Sequence, residues 1–462
     1  MPAKAARNDR ADQKPRTSPP ERRAASSHGS LVDAHVGRYA ARAKDMAASE
    51  IRALFAVAAR PEIVSLAGGM PYVTALPLDA VGDLAGQLVA QRGAVALQYG
   101  PAQGDPALRE GICEVMALEG IHAHPDEVVV TVGSQQALDL ITRIFIDPGD
   151  VVLAEAPSYV GALGTFASYQ ARVVHVPMDD DGLVPEALAE CLARLRAERR
   201  RVKFLYTVPS FHNPAGVTLS AQRRPEVLRI CQQAGVLVIE DNPYGLLGFD
   251  AEPQRALRAD DDHGVVYLGS FSKTIAAGLR VGWALAPPGI RDKLVLAAEA
   301  AVLCSSSLAQ LIVGEYLATQ PWREQIKVFR ELYRERRDAM LDTLGAVMPE
   351  DCRWTRPGGG FYVWLQLPPG LNSKSMLPRA ISSRVAYVPG TGFYADGGGA
   401  EHLRLSYCFP EPARIREGIR RLADVVDAET EIRATFGPDR AGLPGGAGPA
   451  DLTGPAGGPV SR

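Results

Sequence analysis

Several polar residues follow predicted strands and have the types needed for chemistry. Lys273 and Arg280 come after one strand, and Asp241 and Tyr244 come directly after another. A lysine amine can act as a nucleophile and a base, a carboxylate can keep a ring nitrogen protonated, and an arginine binds phosphate or carboxylate. In an open α/β sheet, ligands collect at the carboxyl ends of the strands, so we expect these groups to meet on one rim.

Two further strand ends carry loops that complete this set. The turn Gly133-Ser134-Gln135-Gln136 opens a predicted helix, and its free N–H groups suit a phosphate, although plain helix capping would use the same residues. The loop 209–216 presents the amide of Asn213. A pyridoxal cofactor needs these groups together: a lysine for the imine, a carboxylate at the pyridine nitrogen, donors to the phenolic oxygen, and phosphate ligands.

The elements that position these residues alternate between short β-branched segments and longer amphipathic ones. The predicted strands are Val128–Thr131, Val151–Glu155, Arg172–Val176, Lys203–Val208, Val236–Glu240, Val265–Gly269 and Gly282–Ala286. The predicted helices between them include Gln135–Phe145, Pro185–Arg199 and Ala221–Ala234. This alternation predicts an α/β fold with a mainly parallel sheet covered on both faces.

After residue 348 the pattern changes, which predicts a smaller α+β domain. Its predicted strands are Phe361–Leu367, Val385–Val388 and His402–Tyr407, and its closing helix is Pro412–Val426. The expected organisation is a disordered tail over 1–32, an N-terminal segment over 33–75 packing with the small domain, a large cofactor-binding domain over 76–347, the small domain over 348–430, and a disordered Gly/Pro-rich tail over 431–462.

The composition is that of an ordinary globular protein. Of its 462 residues, 46% are hydrophobic and 22% are charged, and the net charge is −3. This charge gives no reason to expect binding to nucleic acid or to an anionic membrane, and no apolar run is long enough to span a bilayer. The 6 cysteines are scattered without a CxxC pair, so we expect reduced thiols, no metal site and a cytoplasmic location.

Six blocks of sequence resemble the fold-type I, class I/II aminotransferases that depend on pyridoxal phosphate. These blocks are GSQQALDL (133–140), EAPSYVGAL (155–163), PSFHNPAG (209–216), EDNPYG (240–245), GSFSKTIAAGLRVGW (269–283) and RLSY (404–407). The resemblance covers residues 45–428 and is nearest to the 2-aminoadipate, kynurenine and aromatic aminotransferases related to LysN. It implies the fold-type I architecture with pyridoxal 5′-phosphate as cofactor.

The resemblance also implies how the cofactor ring is held. Lys273 would carry the cofactor as a Schiff base, and Asp241 would pair with the ring nitrogen. Tyr244 and Asn213 would donate to the phenolic oxygen, and Tyr159 would stack on the ring.

The same resemblance implies the contacts to phosphate and substrate. The phosphate ligands would be Ser134, Gln135, Ser270, Ser272 and Arg280. Tyr99 resembles a tyrosine that reaches the phosphate of the other subunit, which implies a homodimer with shared active sites. Arg404 would bind the substrate α-carboxylate together with Asn213, and Gly69 would approach the substrate with its backbone.

The chain departs from the family pattern at several positions. Ala215 stands where Thr or Ser is usual, and Ala277 stands where Pro is usual. Tyr72 and the stretch Cys304–Ser307 also differ from the commonest patterns, and we expect them near the substrate. These differences concern the identity of the substrate and leave the cofactor assignment unchanged.

Each candidate also has a structural interpretation. Lys273 alone could be a surface lysine, Asp241 a helix cap, and Tyr159 and Tyr244 core tyrosines. Arg404 could pair with an Asp or Glu, because an unpaired buried arginine is costly. We interpret His212 as structural. Arg52 is a candidate contact for a substrate side chain, although a solvated helix face is the alternative.

Together these residues predict an aminotransferase that moves an amino group from an L-amino acid to a 2-oxo acid, such as 2-oxoglutarate or pyruvate. The amino acid would displace Lys273, whose freed amine would move the α-proton, while Asp241 would stabilise the quinonoid.

Two alternatives stay open. The first is an enzyme of specialised metabolism that uses the same carbanion for β/γ-elimination, C–C bond formation or oxidation. It would be distinguished by whether the amino form of the cofactor accumulates without an acceptor. The second is a non-catalytic, MocR-like effector-binding protein. Such proteins need a helix-turn-helix of several dozen residues, and only a short polar stretch precedes residue 33.

Overall fold

The computed structural model describes residues 35–44 and 60–436. Its helices are α1 (Ala41–Lys44), α2 (Leu78–Ala96), α3 (Pro106–Ala117), α4 (Gly133–Phe145), α5 (Val160–Ser168), α6 (Pro185–Ala197), α7 (Arg223–Ala234), α8 (Pro288–Val302), α9 (Ser307–Thr319), α10 (Trp322–Val347), α11 (Ser373–Ser382) and α12 (Pro412–Phe436). Sequence signals explain several of these boundaries: Asp105 caps α3 by accepting from Leu108 N, and Ser306 caps α9 by accepting from Ala309 N.

The strands form three sheets within the described residues. The strands are β1 (Val64–Ser65), β2 (Val128–Val132), β3 (Val151–Ala156), β4 (Arg172–Asp179), β5 (Gly182–Leu183), β6 (Val202–Thr207), β7 (Leu237–Asp241), β8 (Val265–Ser270), β9 (Val281–Leu285), β10 (Arg353–Trp354), β11 (Tyr362–Gln366), β12 (Val385–Ala386), β13 (Val388–Pro389) and β14 (His402–Ser406). The large sheet has eight strands in the order β2-β9-β8-β7-β6-β3-β4-β5.

The centre of this sheet is parallel, as the alternation of strands and helices predicted. The pairs β3–β4, β3–β6, β6–β7 and β7–β8 are parallel. The valine-rich and leucine-rich strands β3, β6, β7 and β8 are largely buried on both faces, whereas β4 is mostly exposed or part-buried. The strand β9 is antiparallel to both of its neighbours. Because its direction is reversed, Arg280, which precedes β9, lies at the same edge as the carboxyl end of β8.

The smaller unit contains a four-stranded sheet in the order β10-β11-β14-β13. The segment predicted as one strand, Val385–Val388, is instead two strands. β12 pairs with β1 in a parallel two-stranded sheet, and β13 joins β14 antiparallel. The prediction of a single strand was wrong because the two halves, on either side of Tyr387, bond to different partners.

Two packing relationships bear on the domain boundaries, which remain predictions. Val64 and Leu66 share a hydrophobic core with the smaller unit. Helix α10 contributes Phe329 and Tyr333 to that core and Trp322 to a core of the large unit, so it connects both.

The C-terminal helix is longer than predicted, and several other predictions concern residues outside the described ranges. Helix α12 continues to Phe436, past the predicted helix end at Val426 and past residue 431, where we placed the start of the C-terminal tail. The predicted tail over 1–32, residues 437–462 and Arg52 lie outside the described residues. None of the helices within the described ranges has the length and apolar character needed to cross a membrane.

Candidate functional site

Lys273 lies in the turn that follows β8, and its amine points to the N-terminal segment. Its Nζ donates a 2.9 Å hydrogen bond to the carbonyl oxygen of Gly69. Withdrawal from water lowers the pKa of Lys273 to about 8, and Arg404 and Arg280 act in the same direction because they repel a second positive charge. An amine with this pKa is partly unprotonated at neutral pH and can act as a nucleophile.

Asp241 ends β7, where its side chain is 5% exposed. Its Oδ2 accepts a 2.8 Å hydrogen bond from the hydroxyl of Tyr206, whereas Oδ1 has no partner among the described residues. Burial raises the pKa of Asp241 to about 6, and the bond from Tyr206 opposes this rise. A buried carboxylate oxygen without a donor is costly, so its presence indicates a ligand that donates to it.

Arg404 lies in the middle of β14 and is 2% exposed. Its Nη1 donates to Asn213 Oδ1 at 2.8 Å, its Nη2 donates to Ala67 O at 2.7 Å, and its Nε has no partner among the described residues. The guanidinium also lies 4.2 Å from the centroid of the Tyr362 ring. These partners are an amide, a carbonyl and a ring, and none of them is an anion, so the guanidinium can pair with an anionic ligand.

Asn213 is held in place by the loop that follows β6. The preceding residue, His212, accepts from Ala215 N through Nδ1 at 3.3 Å, and its Nε2 lies 3.1 Å from Glu155 Oε2. Glu155 also accepts from Thr207 Oγ1 and from the backbone N–H of Val208. Since Arg404 occupies Oδ1 of Asn213, the amide nitrogen is left to donate to a ligand.

Tyr159 precedes α5 and packs beside α4. Its hydroxyl lies 3.3 Å from Gln135 Oε1, and burial raises its pKa to about 12, so it stays a neutral phenol. Gln135 in turn donates to Gly161 O and to Thr165 Oγ1. The side chain of Gln135 therefore fixes Tyr159 and α5, which leaves its backbone N–H at the start of α4 as the group that can face an anion.

Groups that could bind an anion come together where the N-terminus of α4 meets the turn after β8. A Cβ on Gly133, which has a φ of +73°, would lie 2.6 Å from Arg280 Nη2, so the guanidinium lies directly against the first turn of α4. Ser270 and Ser272 are linked through their hydroxyl oxygens at 2.9 Å. Ser134 lies in the first turn of α4, where helix N–H groups lack backbone partners.

Tyr99 lies on the surface of the chain, in the loop between α2 and α3. It is 76% exposed and borders a cleft of about 230 Å³ with Ser307 and Gln310. Ser307 Oγ donates to Gln98 O, so the unusual stretch Cys304–Ser307 contacts the loop that carries Tyr99. Tyr72 does not line this cleft, and its ring centroid lies 4.1 Å from the guanidinium of Arg336.

The sequence analysis missed Tyr206, Tyr362 and the Glu155–His212 pair. Each tyrosine lies within a strand, where an aromatic residue has the same pattern as a core residue. Only weak features of the sequence point to these tyrosines as site residues: Tyr206 stands shortly before the loop 209–216, and Tyr362 shortly after a run of glycines. Across residues 35–44 and 60–436, no cluster of three or more His, Cys, Asp or Glu side chains could hold a metal ion.

Comparisons with known proteins place these features in context. The sequence model of the family "Aminotransferase class I and II" matches residues 63–422. The chain is 40% identical over 393 residues to aromatic-amino-acid aminotransferase 1 of Thermococcus litoralis, covering 85% of this chain and 94% of that protein.

Two solved structures are similar over nearly their whole length. The kynurenine aminotransferase of Pyrococcus horikoshii, solved in complex with PMP, has a TM-score of 0.82 and 39% identity, over 86% of this chain and 98% of that one. LysN of Thermus thermophilus, an alpha-aminoadipate aminotransferase complexed with N-(5′-phosphopyridoxyl)-L-leucine, has a TM-score of 0.80 and 38% identity, over 86% of this chain and 99% of that one.

Proposed function

The chain belongs to the aminotransferase class I and II family and is an enzyme that transfers amino groups with pyridoxal 5′-phosphate, and from this premise we propose how its own residues hold cofactor and substrate. The side chains fit the cofactor. The unpartnered Oδ1 of Asp241 suits the protonated pyridine nitrogen, and the amine of Lys273 suits the aldehyde. When bound, the cofactor supplies a carbonyl that joins to an amine and a ring that withdraws electrons from the adjacent carbon.

We propose that four further side chains hold the cofactor ring and its phosphate. Tyr244 and the free amide nitrogen of Asn213 donate to the ring's phenolic oxygen, and Tyr159 stacks on the ring. Arg280 neutralises the phosphate beside the N-terminus of α4. The remaining phosphate ligands are the backbone or hydroxyl groups of Ser134, Gln135, Ser270 and Ser272.

Arg404 binds the α-carboxylate of the amino acid in this proposal. Its guanidinium is oriented by Asn213 and Ala67 and has no carboxylate partner among residues 35–44 and 60–436. The backbone of Gly69, whose carbonyl accepts from Lys273, also approaches the substrate. Lys273 then moves the proton at the α-carbon, because its lowered pKa lets it take up a proton and release it near neutral pH.

We propose an L-amino acid as the donor and a 2-oxo acid as the acceptor, with 2-oxoglutarate or pyruvate as the first candidates. The relatives named for aromatic amino acids, kynurenine and α-aminoadipate suggest large side chains for the donor. Each of these substrates carries the α-carboxylate that Arg404 recognises.

The active unit in this proposal is a homodimer. Tyr99 is too exposed in one chain to serve the chain's own site by packing, and a phenol from the other subunit would complete the phosphate site. We place the enzyme in the cytoplasm because its six cysteines are all free thiols.

The observation that carries the proposal is that a lysine with a lowered pKa and a buried carboxylate lie at the ends of two neighbouring strands. One oxygen of that carboxylate has no hydrogen-bond donor among the described residues. The test is to add single L-amino acids to the loaded enzyme and follow its visible absorbance. We expect the band to disappear without an acceptor and to return when 2-oxoglutarate or pyruvate is added. A band that never changes with any amino acid, or changes without oxo-acid product, contradicts amino-group transfer.

A companion variant tests the carboxylate site. Arg404→Met should lower kcat/KM for amino acids by about 100-fold, because a charge-assisted forked contact is lost. Turnover of the matching amine, which lacks the carboxylate, should change little. Equal losses for the amino acid and the amine would place carboxylate recognition elsewhere.

A further inference from the structure

Tyr362 lies on the same face of the four-stranded sheet as Arg404. It begins β11 and pairs with Ser406, while Trp364 pairs with Arg404. Residues two apart on a strand project from the same face, so Tyr362 and Arg404 share one face of the sheet. The Tyr362 ring is 2% exposed and lies 4.2 Å from the Arg404 guanidinium.

The hydroxyl of Tyr362 meets the hydroxyl of Tyr244. The hydroxyl of Tyr244 donates to that of Tyr362 over 3.4 Å, and the rings are arranged edge to face with centroids 6.0 Å apart. Both residues are buried, and a buried phenol requires a hydrogen-bond partner. If Tyr244 donates its proton to a ligand instead, the direction of this bond reverses, and the Tyr244 oxygen accepts the proton of Tyr362.

The same hydroxyl fills the space beside Gly69. A Cβ built on Gly69 would lie 2.0 Å from Tyr362 Oη, and the next nearest atom, Cζ, is 3.1 Å away. Gly69 does not have a left-handed φ, so space and not backbone conformation explains the glycine. Since the Gly69 carbonyl accepts from Lys273, the Tyr362 hydroxyl lies next to the backbone that orients the amine.

We propose that Tyr362 is a further positioning residue for the amino-group transfer reaction: its hydroxyl donates to Tyr244 and so holds that phenol in place to donate to the ring oxygen of the cofactor. This inference rests on the proposed function. A donor whose own oxygen accepts a hydrogen bond becomes a stronger donor. Tyr362 thereby controls the charge on the ring oxygen without touching it.

This effect can be measured by titrating the enzyme that carries its cofactor with pH and following its visible absorbance. A donor to the cofactor's ring oxygen would stabilise negative charge on that oxygen. It would therefore favour the form in which the nitrogen of Lys273, joined to the cofactor, is unprotonated. A weaker donor therefore raises the pH midpoint of the titration. Within the part of the chain that the structure describes, Tyr159, Arg404 and Cys408 are the ionisable groups that act on the tyrosine pair, and Lys273 bonds to the Gly69 carbonyl beside Tyr362.

The first test is a double-mutant cycle. Tyr362→Phe keeps the ring below Arg404 and removes only the hydroxyl, and we expect it to raise the midpoint by about half a pH unit. In a Tyr244→Phe background the same change should have no further effect, because Tyr362 acts through Tyr244. Tyr387→Phe is the matched control: it removes another buried hydroxyl, which donates to Ser373 O in the smaller unit, and it should leave the midpoint unchanged.

The second test uses the space beside Gly69. Gly69→Ala should displace Tyr362 and weaken cofactor retention, measured as cofactor released on dilution. The double variant Gly69→Ala/Tyr362→Phe should retain cofactor better than Gly69→Ala alone, because the methyl group takes the place of the hydroxyl.

The proposal is overturned if Tyr362→Phe leaves the midpoint at the wild-type value, or shifts it equally in the Tyr244→Phe background. It is also overturned if the double variant is no better than Gly69→Ala. None of these results affects the proposed function, which fails if wild-type enzyme does not attach cofactor to Lys273 or does not pass the amino group of an amino acid to an oxo acid.

Discussion

The hydroxyl of Tyr206 donates a 2.8 Å hydrogen bond to Oδ2 of Asp241, and Oδ1 of the same carboxylate has no partner among the described residues. One strand, β6, thus orients the buried carboxylate at the end of its neighbour, β7. Because the bond favours the ionised carboxylate, Tyr206 keeps the pKa of Asp241 lower than burial alone would set it.

Tyr206→Phe should therefore move the acid limb of the kcat/KM profile to higher pH. Asp241 acts as a carboxylate, and losing a hydrogen bond to a charged group raises its pKa by about one unit. Tyr267→Phe is the matched control, since Tyr267 donates to Glu119 and not to Asp241. An acid limb that stays in place, or moves equally in the control, would show that Tyr206 does not act on Asp241.

The lowered pKa of Lys273 predicts how cofactor-free enzyme reloads. The pKa is about 8, and only the unprotonated amine attacks the aldehyde, so the loading rate should rise with pH and level off above that value. Stopped-flow absorbance after mixing with pyridoxal phosphate measures this rate. A rate that is flat from about two pH units below the pKa of Lys273 to about one unit above it would contradict a titrating amine.

The Glu155–His212 pair should stabilise the loop that carries Asn213. Glu155→Ala leaves the Thr207 hydroxyl and the Val208 N–H without their buried acceptor and removes the carboxylate beside His212, so it should lower the free energy of unfolding by about 3 kcal/mol. It should also raise KM for the amino acid, because Asn213 orients Arg404.

The control for this change is an exposed acid. Glu198 pairs with Arg194 on the surface of α6, and Glu198→Ala should cost less than about 0.5 kcal/mol. Denaturant unfolding compares the two variants. If both lose the same stability, the buried pair has no special role in holding the loop.

Tyr99 can be tested by mixing subunits. Lys273→Ala and Tyr99→Ala should each be weak alone, but a hybrid dimer has one site with both residues intact if Tyr99 acts across the interface. Random assembly from equal amounts should then restore about a quarter of wild-type activity. No recovery above the separate variants would place Tyr99 in its own chain's site or outside the active site.

The sequence was sufficient to predict the large sheet and the positions of the residues at its strand ends. Lys273 follows β8 and Asp241 ends β7, because runs such as Val265–Ser270 are buried on both faces and stop at polar turns. The reversed direction of β9 could not be predicted, because a short buried strand has the same composition in either direction.

The side chains that orient the site were harder to predict. Tyr206 and Tyr362 lie within strands, and nothing in a strand pattern distinguishes an aromatic ring with a bonded hydroxyl from one that only packs. Their roles depend on which strands are neighbours and on which face they project, and both depend on the tertiary fold. The split between β12 and β13 was missed for the same reason.

The central claim is that Lys273 carries the cofactor, and borohydride reduction followed by tryptic mass mapping tests it most directly. A reduced, modified lysine resists trypsin, so we expect an uncleaved peptide over 259–280 with the mass of a phosphopyridoxyl group. The Lys273→Ala variant gives a peptide over the same residues without that mass. Reduced wild-type enzyme that is still cleaved after Lys273, with the adduct absent or on another lysine, would contradict the claim.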